Sequence, residues 1–173
     1  MFTISNDIIA LRAPELSDVD SLYLLENDPR TWLDGATLAP LSRKQLWDYI
    51  SGYDGDIFSV GQLRLVIVKK DINEIAGVID LYDYDKIARR AYVGILIKEQ
   101  YRGQGIASMA LSMLIDYCSQ RLSMRQLAAV VRADNCASVH LFKSRGFEET
   151  GRFTNWLRTA DGWTTALHLQ REL

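Results

Sequence analysis

The chain has 173 residues, 48% of them apolar, and a formal net charge of −2, which is the size and composition of one folded domain. No apolar run reaches the roughly 18 residues of a membrane span, and the first residues lack the basic and apolar regions of a secretion signal. We therefore expect a cytoplasmic protein with no membrane partner and no nucleic-acid partner.

The cysteines and histidines are too few and too widely spaced for a disulfide framework or a zinc site. Cys118 and Cys136 are expected to be reduced and buried thiols, and we expect no bound metal. His140 is interpreted as a solvated side chain and His168 as a packing residue.

The charges are distributed unevenly along the chain. Residues 1–86 carry 15 acidic and 8 basic side chains, whereas residues 87–173 carry 7 and 12. An acidic half beside a basic half would suit a site that brings a cation to an anion. Ordinary surface charge explains the same counts equally well.

The first half of the chain begins with a strand and two helices. Alternating residues predict a strand over residues 7–14, ended by Pro14, and helical spacing predicts a helix over residues 16–28. A second short helix is predicted to begin at Ser42, after the loop that contains Trp32.

The middle of the chain is rich in β-branched and aromatic residues. This composition predicts three strands of an antiparallel meander, over residues 62–70, 74–85 and 89–98. A helix with one buried face is then predicted from Ile106.

The last third of the chain predicts a strand, a short helix and a hairpin. Their ranges are 124–133, 134–145, 147–156 and 162–172. The whole order predicts an α/β (α+β) fold in one domain over residues 1–173, with a mixed, mostly antiparallel sheet of six to seven strands and helices on both faces.

The loop between the third meander strand and the long helix contains Gly103 and Gly105. Two glycines separated by one residue allow successive N–H groups to point into one concavity, and the following helix adds its positive dipole end. The pattern predicts an anion site. It lacks the GxxxxGK[ST] of a P-loop, and Ser108 stands where a dinucleotide fingerprint needs its third glycine. A coenzyme A pyrophosphate cradle and a plain turn both remain open.

Two motifs resolve this choice by resemblance. Residues 100–107, QYRGQGIA, resemble the Q/R-x-x-G-x-G/A signature of the GCN5-related N-acetyltransferases (GNAT), between the strand and helix where that family carries it. The family's N-x-x-A/S-x-x-L-Y-x-x-x-G-F block resembles residues 135–147. Residues 77–97 are most similar to spermidine/spermine and ribosomal-protein N-terminal acetyltransferases.

The resemblance implies a GNAT fold with acetyl-CoA as co-substrate. It implies that the loop backbone holds the pyrophosphate, that the preceding strand pairs with the pantetheine arm, and that the later motif lines the thiol end. The cofactor-binding residues implied are Ile95, Leu96, Ile97, Arg102, Gly103, Gln104, Gly105, Ile106, Ala107, Asn135 and Phe142.

Acetyl transfer to an amine requires a base, because an ordinary ammonium of pKa about 10.4 is neutral in about one molecule in 2,500 at pH 7. Asp80, Asp83 and Tyr92 are the candidates, since they lie on the strands that would face the thioester. A two-residue turn at 86–87 would put Tyr92 on the face of Leu81 and Asp83, and a three-residue turn would put it with Asp80.

The acceptor is predicted to be a polyamine or a similar small cationic amine. Trp32, Asp34 and Asp83 are the predicted substrate-binding residues, through ion pairs and cation–π contact, and Asp85 would add a further charge. A protein N-terminus, bound along the last hairpin, is the alternative acceptor. The family often forms homo-oligomers, so self-association is also expected.

One position departs from the family pattern. The tyrosine that protonates the departing thiolate in many members is replaced by Phe142, which has no hydroxyl. Because a thiolate is a fair leaving group, the reaction can proceed without that donor. The substitution nevertheless keeps a non-catalytic acyl-CoA-binding module as a third hypothesis.

Overall fold

The computed structural model of the chain describes residues 4–30 and 39–173. Its strands are β1 (Ile4–Ser5), β2 (Ile9–Arg12), β3 (Leu63–Lys69), β4 (Glu74–Asp85), β5 (Arg90–Ile97), β6 (Gln126–Arg132), β7 (Glu148–Thr159) and β8 (Gly162–Glu172). Its helices are α1 (Val19–Glu26), α2 (Arg43–Ser51), α3 (Ile57–Val60), α4 (Ile106–Gln120) and α5 (Cys136–Ser144). None of the described helices is long and apolar enough to span a membrane.

The strands form one mixed sheet in the order β1-β2-β3-β4-β5-β6-β8-β7. Neighbouring strands are antiparallel except for β5 and β6, which are parallel. The predicted α/β class and mixed sheet are confirmed. The described sheet has eight strands rather than six to seven because two-residue β1 is too short for an alternation signal; Asn6 accepts backbone hydrogen bonds from Ile8 and Ile9 at the turn into β2.

Two apolar clusters cover opposite faces of the sheet. The larger cluster joins α4, including Leu111 and Leu114, to strand residues such as Ile79. The smaller cluster joins α1 and α2 to the other face, through residues such as Leu22 and Val66. The α1/α2 face, as we call the second one, carries the polar side chains described below.

Capping side chains fix the starts of α2 and α3. The hydroxyl of Ser42 accepts a hydrogen bond from the Gln45 N–H at 3.1 Å, and the Gln45 amide oxygen accepts one from the Ser42 N–H at 2.8 Å. This reciprocal pair is a capping box, and it starts α2 where the sequence predicts. Asp56 starts α3, which the sequence analysis did not predict, by accepting from the Phe58 N–H.

Candidate active site

The two parallel strands in the middle of the sheet separate along part of their length. β5 pairs with β6 over a short ladder that ends at Tyr92 and Ala128. Beyond it, β5 stays paired with β4 up to Ile97, and β6 stays paired with β8 up to Arg132. The strands therefore diverge towards their carboxyl ends, and the β5 edge over residues 93–97 has no partner on that side in the described part of the chain.

Ile95, Leu96 and Ile97 lie on this free edge. Each backbone N–H and C=O group that points into the gap can pair with an extended ligand, as an added strand would. The side chains are held from both faces, since Leu96 packs on the α1/α2 cluster and Ile97 is buried in the larger one. The gap is thus a rigid slot with open hydrogen-bonding groups.

The glycine loop lies at the end of this slot. Gly103 and Gly105 have φ values of 72° and 76°, which residues with a Cβ rarely adopt, and a Cβ at either position would meet no atom within 4 Å. No described residue accepts a hydrogen bond from the backbone N–H groups of residues 103–107, and α4 begins without a side-chain cap. These donors and the helix dipole fit a pyrophosphate, so the observed loop has the chemistry that coenzyme A needs.

Arg102 and Gln104 point their side chains back towards the protein. The Arg102 Nε donates to the carbonyl oxygen of Ile97 at 3.0 Å, and the Gln104 amide donates to the carbonyl oxygen of Gln100 at 2.8 Å. Both residues thus shape the loop with their side chains. Their contribution to an anion would come from the backbone.

Two further contacts brace the loop and α4. The Tyr101 hydroxyl donates to the Glu74 carboxylate at 2.5 Å, which ties the loop to the start of β4 and raises the pKa of Tyr101. Arg145, after α5, donates through Nε to the Ser108 hydroxyl in the first turn of α4 at 2.9 Å. Neither Tyr101 nor Arg145 was predicted as a site residue from the sequence, although Tyr101 lies inside the family signature.

The second wall of the slot is the start of α5, which follows the carboxyl end of β6. Asn135 caps this helix, with its side-chain oxygen accepting from the Ser138 N–H at 3.1 Å. Phe142 is buried and packs edge-to-face on Phe147, with ring centroids 5.0 Å apart. Because parallel strands bring their carboxyl ends to one side, the amino ends of α4 and α5 both lie at the open end of the gap.

Tyr92 lies on the α1/α2 face, where the gap begins. It is directly opposite Tyr82 on β4, and the two rings stack with centroids 5.6 Å apart. Tyr92 therefore lies on the same face of the sheet as Asp80. This is the arrangement expected from a three-residue turn between β4 and β5 rather than from a two-residue turn. The loop itself has four residues between Asp85 and Arg90, and a register shift after Tyr82 compensates for the difference.

Asp80 is held in an ion-pair cluster that sequence analysis did not predict. Arg64 on β3 donates to both carboxylate oxygens of Asp80 at 2.8 Å and to Glu26 at the end of α1 at 2.7 Å. Burial alone would lower the pKa of Arg64, but the hydrogen bonds and charges of its partners outweigh it and hold that pKa above its ordinary value. The cluster has two carboxylates and one guanidinium, so it keeps a net negative charge.

Asp83 lies in the irregular part of β4, with a φ of 50° and an exposed side chain. Asp85 accepts backbone hydrogen bonds from Ala88 and Ile87. These hydrogen bonds stabilise the turn and lower the pKa of Asp85. Of the predicted substrate-binding residues, Trp32 and Asp34 lie outside the described residues.

His168 contacts the candidate base rather than only packing. Its Nε2 lies 3.1 Å from the Tyr92 hydroxyl oxygen, and the two rings meet edge-to-face. The sequence signal was weak because the two residues lie 76 positions apart. The position of His168 on the same face of the sheet as the candidate site is the feature that could have identified this contact.

A cavity of about 450 Å³ adjoins the site on the α1 side. Its lining includes Leu25, Asp28, Lys98 and Arg102. Burial lowers the pKa of Lys98, and the hydrogen bonds from Arg30 lower that of Asp28 to about 2. The cavity thus extends the site from the glycine loop towards the end of α1.

Comparisons with known proteins agree with this geometry. The spermidine N(1)-acetyltransferase of Escherichia coli strain K12 is 27% identical over 146 residues, covering 83% of this chain and 74% of that protein. The ribosomal-protein-serine acetyltransferase of the same strain is 26% identical over 144 residues, covering 82% and 80%. The structure of Vibrio cholerae spermidine N-acetyltransferase in complex with CoA and spermine has a TM-score of 0.83 at 22% identity and covers 96% of both chains.

The family model described as an acetyltransferase (GNAT) domain matches residues 9–148, which contain the gap between β5 and β6, the glycine loop and most of the polar α1/α2 face. The backbone N–H donors of that loop fit the pyrophosphate of acetyl-CoA, the expected co-substrate. The chain therefore belongs to the GNAT family and is an acetyl-CoA-dependent N-acetyltransferase.

Proposed function

We propose that the enzyme acetylates the primary amine of a small cationic acceptor, such as a polyamine. The proposal rests on the stacked pair Tyr82 and Tyr92, at the point where β5 and β6 separate, with Asp83 next to Tyr82 along β4. Aromatic faces and an exposed carboxylate attract an ammonium group. The net negative cluster around Arg64 adds to that attraction, and similarity to spermidine acetyltransferases supports it.

The acetyl donor is proposed to lie in the gap. The backbone N–H groups of residues 103–107 would hold its pyrophosphate, and the β5 edge over residues 95–97 would pair with its pantetheine arm. Asn135 and Phe142, on the second wall, would border the thiol end. When bound, this co-substrate supplies an activated acetyl thioester.

The base is proposed to be Tyr92 rather than either aspartate. Asp80 is already paired with Arg64 on both carboxylate oxygens, so it acts through the charge of its cluster. Asp83 is exposed and better suited to hold the cationic acceptor. Tyr92 is the last β5 residue paired with β6, and its hydroxyl has a neighbouring imidazole that could take a proton.

A protein N-terminal amine is the second candidate acceptor. Arg64 neutralises one of the two carboxylates in its cluster, which leaves fewer negative charges for a polycation than the acidic first half of the chain indicates. The ribosomal-protein relative and the exposed aromatic residues Phe153, Trp156 and Trp163 of the last hairpin favour a peptide. The third hypothesis, a non-catalytic acyl-CoA-binding module, is disfavoured by family membership.

Thiol release from acetyl-CoA tests these alternatives. The panel is spermidine, spermine, putrescine, lysine, and peptides with free or blocked amino termini, each followed with a thiol reagent. We expect release with a polyamine and loss of that release in Asp83→Asn. Release only with free-amino-terminus peptides would overturn the polyamine acceptor. The cytoplasmic location, the homo-oligomer and the absence of nucleic-acid and membrane partners stay predictions.

A further inference from the structure

We propose that His168 is the proton acceptor for acetyl transfer and acts through the hydroxyl of Tyr92. This inference rests on the proposed function, because it takes Tyr92 as the group nearest the reacting amine. It assigns a role to a histidine on β8, two strands away from β5 in the sheet.

The geometry of the pair supports a relay. The Tyr92 hydroxyl oxygen and His168 Nε2 are 3.1 Å apart, which is hydrogen-bond distance. The two side chains meet across β6, where the residue opposite Tyr92 is the small Ala128. Stacking on Tyr82 fixes the other side of the Tyr92 ring, so its hydroxyl is held against the imidazole.

Thr150 on β7 lies next to His168 on its other side. Its hydroxyl donates to the carbonyl oxygen of His168 at 3.4 Å, and its oxygen lies 3.5 Å from His168 Nδ1. The relay requires the tautomer that carries its proton on Nδ1, in which the Thr150 oxygen accepts from Nδ1–H. That tautomer leaves a lone pair on Nε2, so the Tyr92 hydroxyl is the donor.

The relay balances from the neutral amine, which the cationic acceptor forms by losing its ammonium proton to water. As the amine nitrogen bonds to the thioester carbon and the C–S bond breaks onto sulfur, one proton leaves the nitrogen for the Tyr92 oxygen, and the Tyr92 proton moves to His168 Nε2. Imidazole is suited to this step because it gains and loses protons near neutral pH. Return of the proton through Tyr92 to the thiolate restores both residues, and this route replaces the hydroxyl that Phe142 lacks.

The direction of the hydrogen bond can be measured without any acceptor. The chain has only two histidines, so long-range ¹H–¹⁵N spectra contain two imidazoles, which the variant His140→Gln assigns. We expect His168 as the Nδ1–H tautomer, with an Nε2 signal that shifts in Tyr92→Phe while His140 does not change. An Nε2–H tautomer would overturn the relay, because its nitrogen could not accept the proton.

Kinetics then separate a proton acceptor from a structural support. Glutamine can hold the Tyr92 hydroxyl by a hydrogen bond but cannot take its proton. With the acceptor that the panel identifies, starting from spermidine, we expect His168→Gln and Tyr92→Phe each to lower kcat at least tenfold with KM within about twofold. His140→Gln is the control and should keep the wild-type rate.

Binding of acetyl-CoA serves as the check on folding, since it should remain within about threefold in both variants. A wild-type kcat in His168→Gln would overturn the proton-accepting role and reduce His168 to a support for Tyr92. If no acceptor in the panel is acetylated, that result counts only against the proposed acceptor, because the tautomer measurement does not depend on turnover.

Discussion

Arg64 and Asp80 are directly opposite each other on β3 and β4, and both oxygens of the carboxylate accept from the guanidinium at 2.8 Å. The side chains of this pair are 18% and 16% exposed, so water screens the interaction only weakly. Glu26 joins the same guanidinium from α1. Arg64 therefore links the sheet to the helix that borders the active site.

Replacing Arg64 with methionine should destabilise the protein strongly. Removing one partner of a largely buried ion pair leaves uncompensated charge, at a cost of about 3–5 kcal/mol in the free energy of unfolding. Urea titration measures this loss. Arg43→Met is the matched control, because Arg43 and Asp20 form a pair that is 57% and 80% exposed. A similar shift of the urea midpoint in both variants would contradict the importance of the buried cluster.

Gly103→Val should abolish tight acetyl-CoA binding while the fold persists. Valine at a φ of 72° is strained, and its side chain would enter the space in front of the loop N–H groups. Gly61→Val is the control, since Gly61 has a φ of 74°, the same open surroundings and a position at the end of α3. Calorimetric titration should show at least a tenfold weaker Kd for Gly103→Val only. Equal affinities in the two variants would rule out the cradle.

Tyr101→Phe should weaken both the loop and coenzyme A binding. The lost hydrogen bond joins a hydroxyl to a carboxylate, and such bonds contribute about 1.5–3 kcal/mol. We expect a lower urea midpoint and a Kd for acetyl-CoA raised by about threefold to tenfold. Tyr84→Phe is the control, because Tyr84 packs on Phe58 and no described residue bonds its hydroxyl. Unchanged affinity in Tyr101→Phe would show that the contact with Glu74 does not order the loop.

The sequence predicts the elements of this fold better than the pairs of side chains between them. Periodicity identifies the meander strands and the glycine loop because those signals lie within a few neighbouring residues. The contact between Arg64 and Asp80 depends on register. Counting outward from the turn that joins Lys69 to Glu74 would pair Arg64 with Ile79, but a bulge after Ile67 shifts the register by one residue.

The same limit applies to the candidate base. The side of the sheet on which Tyr92 lies depends on the four-residue turn and on the irregularity between Tyr82 and Asp85. Neither has a distinct sequence signal, since turn length and bulge compensate for each other. The separation of β5 from β6 is likewise a matter of long-range strand pairing, which local patterns do not report.

Thiol labelling should distinguish the two cysteines. The expectation of a buried thiol holds for Cys118 in α4 and is wrong for Cys136, which is exposed at the start of α5. We expect one thiol per chain to react quickly with a disulfide reagent in the native protein and two in denaturant. Cys136→Ser should remove the fast reaction, and Cys118→Val should leave it intact. Two fast thiols in the native protein would contradict the packing of α4 against the sheet.

Stability should fall on the alkaline side partly because of Cys118. Burial raises the pKa of this thiol from 9.0 to about 12. In that range the unfolded chain loses the proton while the folded chain keeps it, so this stability is fully present below the ordinary thiol pKa and is lost as the pH rises through about 12. The contribution reaches about 1.4 kcal/mol per pH unit. Urea titrations between pH 8 and about pH 11 should therefore show a shallower decline for Cys118→Val than for the wild type, with Cys136→Ser resembling the wild type. Equal slopes in the wild type and Cys118→Val would mean that the buried thiol ionises as readily as in the unfolded chain.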